Sequence, residues 1–485
     1  MHLFCDYKIG EIPHSEYPRP QFRRDDYHCL NGVWRFAVRK AGAPLCNYDK
    51  TIVVPFSPET LNSGVDGMKR VTASDRLYYG RDFVAERSWL DCDTLLHFGA
   101  VDYYCDVYVN GKYAGSHEGG YTAFTVDITS FIEEGDNSLD VVVWDSTEES
   151  QGGRGKQKTE RGGIWYTAQS GIWQTVWIEN VPKKRIEDFT ITTDSEKKEA
   201  YVDVVCEGET EYFVYDGKKL ILSGKSNGRI SLGYDFELWT PEKPKLYDLV
   251  LVYGDDKVYS YFGVRSFGIA TDVNGIKRFT LNGKPYFFSG LLDQGYWPDG
   301  LLTPPCDSAV VNELKCVKRM GFNTLRKHVK VENLRWYYHC DRLGIIVWQD
   351  FVNGGGEYVF SHVALAPFLG AKHNDSDYAY FSRTDEKGRK RFTSEWQETV
   401  NQLKNCTCIS LWTIFNDGWG QFDSEKIAYA VKMTDPTRIV ESVSGWHDYK
   451  NKCDVKSLHI YYTKLKLPRD PRPISLSEFG GYSYK

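Results

Sequence analysis

No run of apolar residues in the 485-residue sequence is long enough to cross a bilayer as a helix. The stretch from Met1 to Arg24 is polar and dotted with proline, without the basic start and apolar core of a secretory signal. The twelve cysteines show no paired spacing, and the nearest two, Cys406 and Cys408, fall at the start of a buried strand, so neither a zinc ribbon nor a disulfide scaffold is suggested. Charge of one sign is not in large excess. A net charge of -6 gives no general electrostatic reason to approach nucleic acid or an anionic membrane, and there is no basic stripe. No His, Cys and carboxylate cluster shows metal-ligand spacing, so no metal site is assigned; no organic cofactor is expected. These absences predict a cytoplasmic protein with a neutral or mildly polar ligand and no nucleic-acid or membrane partner; a homo-oligomer is compatible with all of them.

What the sequence has in quantity is aromatic side chains, with 14 Trp and 33 Tyr. Large β-sandwich cores account for most of them, and flat apolar rings are also what sugar faces stack on. From about residue 25 to 183, short alternating runs such as Gly32 to Val38, Leu95 to Phe98, Cys105 to Val109 and Leu139 to Val143 are broken by Gly, Asn and Asp, which predicts a β-sandwich of the jelly-roll kind over 1–183. Asn110-Gly111 reads as a hairpin turn. A second alternating stretch, 184–270, is short enough for an immunoglobulin-like β-sandwich.

After residue 271 strand-like runs alternate with helix-period segments. Val310, Leu314 and Val317 share one helical face after the expected N-cap Asp307, and Gly321 closes that helix. Strand-like segments at Tyr286 to Leu291, Phe322 to Leu325, Gly344 to Phe351, Cys408 to Asn416, Arg438 to Gly445, Ser457 to Tyr462 and Ile474 to Phe479 make seven strands of a βα series. Such a series closes most economically as a (β/α)8 TIM barrel, over 271–485, with its chemistry at the carboxyl ends of the strands. Gly354 to Gly356 and the polar stretch Lys372 to Lys390 read as an extended loop over that face.

The polar residues at those ends are Asp293, Arg326, His328, Asp350, Asn416, Asp417, Ser444, Trp446, His447, His459, Tyr461 and Glu478. Asp417 and Glu478 would face each other across the barrel, as a pair of carboxylates must to protonate a glycosidic oxygen and attack the anomeric carbon. Metal and aldol chemistry also place carboxylates at strand ends, so position alone leaves those readings open.

Asn416-Asp417-Gly418-Trp419-Gly420-Gln421-Phe422 and Ser477-Glu478-Phe479-Gly480-Gly481 resemble the acid/base and nucleophile motifs of glycoside hydrolase family 2. Leu30 to Trp34, Val109 to Gly111, His117 to Tyr121 and Ser170 to Gln174 resemble that family's N-terminal sugar-binding jelly roll, and Phe262 to Arg265 with Leu281 to Pro285 its junction with the barrel. The resemblance implies a retaining β-glycosidase acting on terminal β-linked sugars, a galactoside or glucuronide first. It assigns Glu478 as nucleophile, Asp417 as acid and base, Asn416 to the sugar 2-hydroxyl, Arg326 to keeping Glu478 ionised, and Tyr461 or His459 to orienting it. Asp293, Trp297, Trp348, Asp350 and Trp446 are weaker candidates for walls and hydroxyl contacts, and His328 and His117 read first as structural.

Two departures stand out. The family has Glu where this chain has Asp417, which withdraws the acid by about 1–1.5 Å. After Glu478 only Phe479 to Lys485 follow, so the sequence predicts a barrel lacking its eighth strand. The alternative from another class is therefore a catalytically impaired or silent carbohydrate-binding homologue or fragment.

Overall fold

The computed structural model describes residues 11–43, 47–65, 71–149, 151–448, 453–461 and 464–480. The first unit is built of antiparallel strands in two main sheets. Six strands run in the spatial order Lys50–Val54, Gly32–Lys40, Asp75–Ala85, Gly135–Trp144, Tyr104–Val109, Lys112–Glu118, and four in the order His28–Cys29, Val176–Val181, Asp93–Phe98, Phe124–Asp127. Alternation drives this pairing. Leu139, Val141 and Val143 turn inward and meet Trp34, Phe36, Tyr79, Phe98 and Ile178 from both sheets in one core. Asn110 and Gly111 both take positive φ, 50° and 72°, and close the hairpin in which Val109 pairs with Lys112.

A second pair of sheets follows. Three strands (Asp188–Asp194, Glu199–Val205, Arg229–Gly233) and four strands (Lys219–Asn227, Glu209–Asp216, Tyr247–Tyr253, Asp256–Phe262) enclose Phe189, Val202, Val214, Phe236 and Leu249. A small three-stranded sheet, Phe267–Thr271, Lys277–Leu281 and Lys284–Pro285, leads into the third unit.

There the strands become parallel. Gly290–Asp293, Thr324–Lys327, Ile346–Asp350, Ile409–Asn416 and Ile439–Ser444 form one sheet in chain order, and Lys456–Ile460 pairs in parallel with Ile474–Phe479. Every residue of Ile346–Asp350, Ile409–Asn416 and Ile439–Ser444 is buried, as expected of parallel strands covered on both faces. Helix Asp307–Arg319 packs Val310, Leu314 and Val317 into the core; Cys306 is its N-cap, and Asp307 is its first residue. Asp307 carries another task, gripping Arg335 and His339. Helix Leu334–Leu343 is capped by Asn333 accepting from Trp336 N and stopped by Gly344 at φ 74°.

The polar stretch Lys372 to Lys390 is not loop to its end. Asp385 accepts from Gly388 N and starts helix Glu386–Leu403, whose first turn is charged because its inward face begins in earnest at Phe392 and Trp396. No helix among the described residues is long and apolar enough to cross a membrane, and their ten cysteines are all free thiols.

The first unit grips the third close to the strand ends. Gly153 bridges Gly354, Asn353 O accepts from both Arg154 N (2.8 Å) and Gly155 N (3.0 Å), and the Arg154 guanidinium donates to Gly355 O and Gly356 O. No side chain fits at this seam: a Cβ on Gly354 would sit 1.9 Å from Gly152 O.

Candidate active site

Parallel register decides which strand-end side chains meet. Side chains alternate along Thr324–Lys327, so Arg326 and Lys327 face opposite sides of the sheet. Arg326 Nε and Nη2 donate to Asp350 Oδ1 (3.0 Å) and Oδ2 (2.8 Å) as a two-pronged pair. Nη1 donates to Glu478 Oε1 at 2.9 Å, and Nη2 also donates to Asn416 Oδ1 at 2.8 Å. One buried guanidinium thereby organises the second, third, fourth and last of these parallel strands.

Glu478 receives a second donor, the Tyr461 hydroxyl, at Oε2. Burial opposes its ionisation, but the charges of His459, Arg326 and His328 and the Tyr461 bond outweigh it and hold the carboxyl down at about 2. Burial together with the carboxylate beside it pushes the Tyr461 phenol well up, so it stays protonated and donates. His328 Nδ1 lies 3.2 Å from Asp350 Oδ2 and 3.8 Å from Glu478 Oε1, close enough for charge but off the hydrogen-bonding direction.

Asp417 follows the fourth of these strands in the left-handed region, φ 51°, with its N–H donating to Ser444 O. Gly418 and Gly420 continue with positive φ; a Cβ on Gly420 would lie 2.1 Å from Gly354 O. This turn brings Asp417 Oδ1 to 2.6 Å from His459 Nδ1, and Asn416 Nδ2 donates to Asp417 Oδ2 at 3.1 Å. His459 Nε2 is 2.9 Å from Ser444 Oγ and 3.5 Å from Glu478 Oε1. Burial disfavours the charged imidazole, but Asp417 and Glu478 outweigh it and raise its pKa. One donor atom each of Asp417, His459 and Glu478 falls within 4.8 Å of the others. That spacing could also hold a cation, a possibility invisible in the sequence because the three residues are far apart along the chain; here, however, the atoms are engaged with each other and with Arg326 and Tyr461.

Trp446 stands at the edge of this network, its ring 6.2 Å from that of His459. Asp293 does not join it. Its register partner is Lys327, so it lies on Lys327's face and accepts from that ammonium at 2.7 Å, in a second charged cluster with Glu332 and Lys330. Trp348 packs against Phe279 and Phe288, and His117 stacks on Phe124 in the first unit. A groove of about 1270 Å³ beside the second unit, lined by Tyr215, Tyr259 and Tyr338 among others, shares no residue with the Arg326 network.

The sequence reading missed Lys156. It reaches the site from the first unit, its ammonium 4.7 Å from the Trp419 ring centroid and 5.7 Å from that of Trp165. Only the basic, glycine-rich run Gly152 to Lys156 hinted at a close-fitting loop.

Two stretches of the chain match family models: residues 27–182 match the sugar-binding domain of glycosyl hydrolases family 2, and residues 272–476 match the TIM barrel domain of the same family. Together they cover well over half of the chain. Among curated relatives, a putative β-glucuronidase of Formosa agariphila is 24% identical over 395 residues, covering 76% of this chain and 34% of its own. A β-glucuronidase of Paenibacillus borealis is 25% identical over 503 residues, covering 93% and 78%. The chain thus spans about a third of the length of several curated relatives it matches. The solved β-D-glucuronidase structure of Dictyoglomus thermophilum superposes with a TM-score of 0.76 at 20% identity, covering 96% of this chain and 85% of that one.

Proposed function

The chain belongs to glycoside hydrolase family 2, and from that membership we propose that it is a retaining β-glycosidase hydrolysing terminal β-linked sugars, a β-galactoside or β-glucuronide first. The observation that carries this reading is the carboxylate pair, Glu478 held ionised and Asp417 within 4.8 Å of it. Retaining enzymes keep their two carboxyl groups about 5–5.5 Å apart, whereas an inverting enzyme needs room for a water between them.

In this reading Glu478 attacks the anomeric carbon while the proton shared between His459 and Asp417 is delivered through the Asp417 carboxyl to the departing oxygen, leaving a glycosyl ester on Glu478. Asp417, now ionised, takes a proton from water as the water attacks the same carbon and the ester bond to Glu478 breaks. Asn416 is oriented by Arg326 to meet the sugar 2-hydroxyl. Arg326, Tyr461 and His459 position the nucleophile, Asp350 anchors Arg326, and Trp446 forms a wall. Asp293 acts on this site only through Lys327 and the sheet.

The proposed division is 1–183 as a jelly roll, 184–270 as an immunoglobulin-like sandwich, and 271–485 as a (β/α)8 barrel of which seven strands lie in the described residues. We place the protein in the cytoplasm, a reading supported by the free thiols of the ten cysteines among the described residues.

One observation favours a second reading, a catalytically impaired sugar-binding homologue: the short Asp417 carboxylate is already engaged by His459 at 2.6 Å. A panel of nitrophenyl β-glycosides beside binding titrations with the free sugars separates the two. Turnover abolished by Glu478→Gln is expected; binding by the unaltered protein without turnover would establish the second reading.

A further inference from the structure

One buried cation has no partner within that mechanism. The described residues contain four buried lysines, and three of them meet a carboxylate directly: Lys327 with Asp293 at 2.7 Å, Lys330 with Glu332 at 2.6 Å and Lys456 with Asp448 at 2.8 Å. The fourth is Lys156, 6% exposed, and among the described residues no carboxylate comes within 4.0 Å of its ammonium. A buried charge is ordinarily paired, because lost hydration must be replaced. The faces of Trp165 and Trp419 replace part of it. Burial pulls the ammonium's pKa down, and the negative fields of Glu478 and Asp417 pull the other way, which places Lys156 within electrostatic reach of both.

The loop that presents it is fixed. Gly155 has φ +62° and a Cβ there would meet Val329 O at 2.6 Å, Lys156 O accepts from Tyr166 N at 3.0 Å, and Asn353, which receives Arg154 N and Gly155 N, donates its own Nδ2 to Asn416 O at 3.3 Å. Lys156 is therefore braced against the segment that carries Asn416 and Asp417. Trp419 connects it onward, with its ring 6.1 Å from His328.

We infer that Lys156 is the anion-recognition residue of the sugar site, placed to pair with an oxyanion, a carboxylate or a sulfate, carried by the bound sugar. This rests on the glycosidase reading for the word sugar and goes beyond it in choosing acidic sugars over neutral ones. A neutral hydroxymethyl group would give the ammonium a single hydrogen bond and leave its charge uncompensated; an oxyanion satisfies both.

The test uses the full chain and its tryptophan fluorescence, since Trp165 and Trp419 flank the ammonium. Glucuronate, glucose 6-sulfate and glucose, and the matching galacto series, are titrated into the wild type, Lys156→Met and Lys156→Arg, alongside turnover of the nitrophenyl β-glucuronide and β-glucoside and their galacto counterparts. The wild type should prefer an acidic sugar to its neutral match, and Lys156→Met should reduce that preference by about 10- to 100-fold, the usual weight of a charge-assisted contact. Lys156→Arg should keep part of it. A preference confined to glucuronate or galacturonate assigns a uronic acid, and one confined to the sulfate assigns a sulfated sugar. A wild type without acidic preference, or a preference untouched in Lys156→Met, overturns the inference even if glycosides are turned over. Lysine-dependent binding with no turnover sustains it while removing the glycosidase reading.

Discussion

The imidazole of His459 spans the distance between the two carboxylates of the site, with Nδ1 2.6 Å from Asp417 Oδ1 and Nε2 3.5 Å from Glu478 Oε1. Asp417 is thus both the residue that departs from the family's glutamate and a residue closely engaged by a neighbouring base.

Lengthening that side chain should matter most when the leaving group is poor. Asp417→Glu moves the carboxyl forward by about 1–1.5 Å. Its turnover of an unactivated disaccharide should rise by a larger factor than its turnover of a nitrophenyl β-glycoside, because the latter departs with little protonation. Equal gains on the two substrates, measured as kcat/KM, would count against Asp417 as the acid.

Replacing His459 should show a defined pH signature. Its pKa is raised in the folded state, so its contribution to stability is fully present below the unfolded value of about 6.5 and lost as the pH climbs through the raised value. The stability gap between wild type and His459→Phe, read from urea unfolding across pH, should be largest on the acid side and shrink on the alkaline side. A gap that widens with rising pH would refute the ion-pair role.

Arg326 holds two buried carboxylates at once, so Arg326→Met should destabilise by about 3–5 kcal/mol, the cost of leaving buried charge unpaired. Glu478 should then titrate above its value of about 2, moving the acid limb of the kcat/KM profile to higher pH. In the wild type the Glu478 carboxylate contributes stability above its unfolded pKa of about 4.5, lost as the pH falls toward 2. An acid limb that stays in place in Arg326→Met would exclude Arg326 as the group that keeps Glu478 charged.

The seam between the first unit and the barrel can be opened with one methyl group. Gly354→Ala puts a Cβ 1.9 Å from Gly152 O and should lower stability by about 1–3 kcal/mol, as overpacking does. Activity should fall by more than stability alone explains, because Asn353 and Lys156 move with the seam. Unchanged kcat/KM in this variant would show that the seam does not position the site.

Much of this arrangement was legible because strand ends obey a simple rule. Arg326, Asp350, Asn416, Asp417, His459, Tyr461 and Glu478 were each picked out by following a buried apolar run to its last polar residue, and the parallel strands of both sheets bring them into one network. The same rule misplaces Asp293, since it gives the end of a strand and not the face. Face follows from register with Lys327, which only paired strands reveal. Asp307 looked like a helix cap because capping and ion pairing use the same residue types, and the charged first turn of Glu386–Leu403 looked like loop because its one buried residue, Gly388, carries no side chain to mark the inward face. Lys156 lay beyond reach for a different reason. Net charge is an average over the chain and says nothing of where one ammonium is delivered, and Lys156 comes to the strand ends from a distant part of the sequence.

The clamp between Asn353 and the Arg154-Gly155 backbone also bears on how such proteins can be recombined. With Lys156 and Trp165 carried by the amino-terminal unit, a chimera that exchanges this module for a relative's is expected, on the inference drawn for Lys156, to transplant part of the ligand preference together with the scaffold. Barrel grafts selected only on the two carboxylates would then inherit chemistry without its choice of sugar.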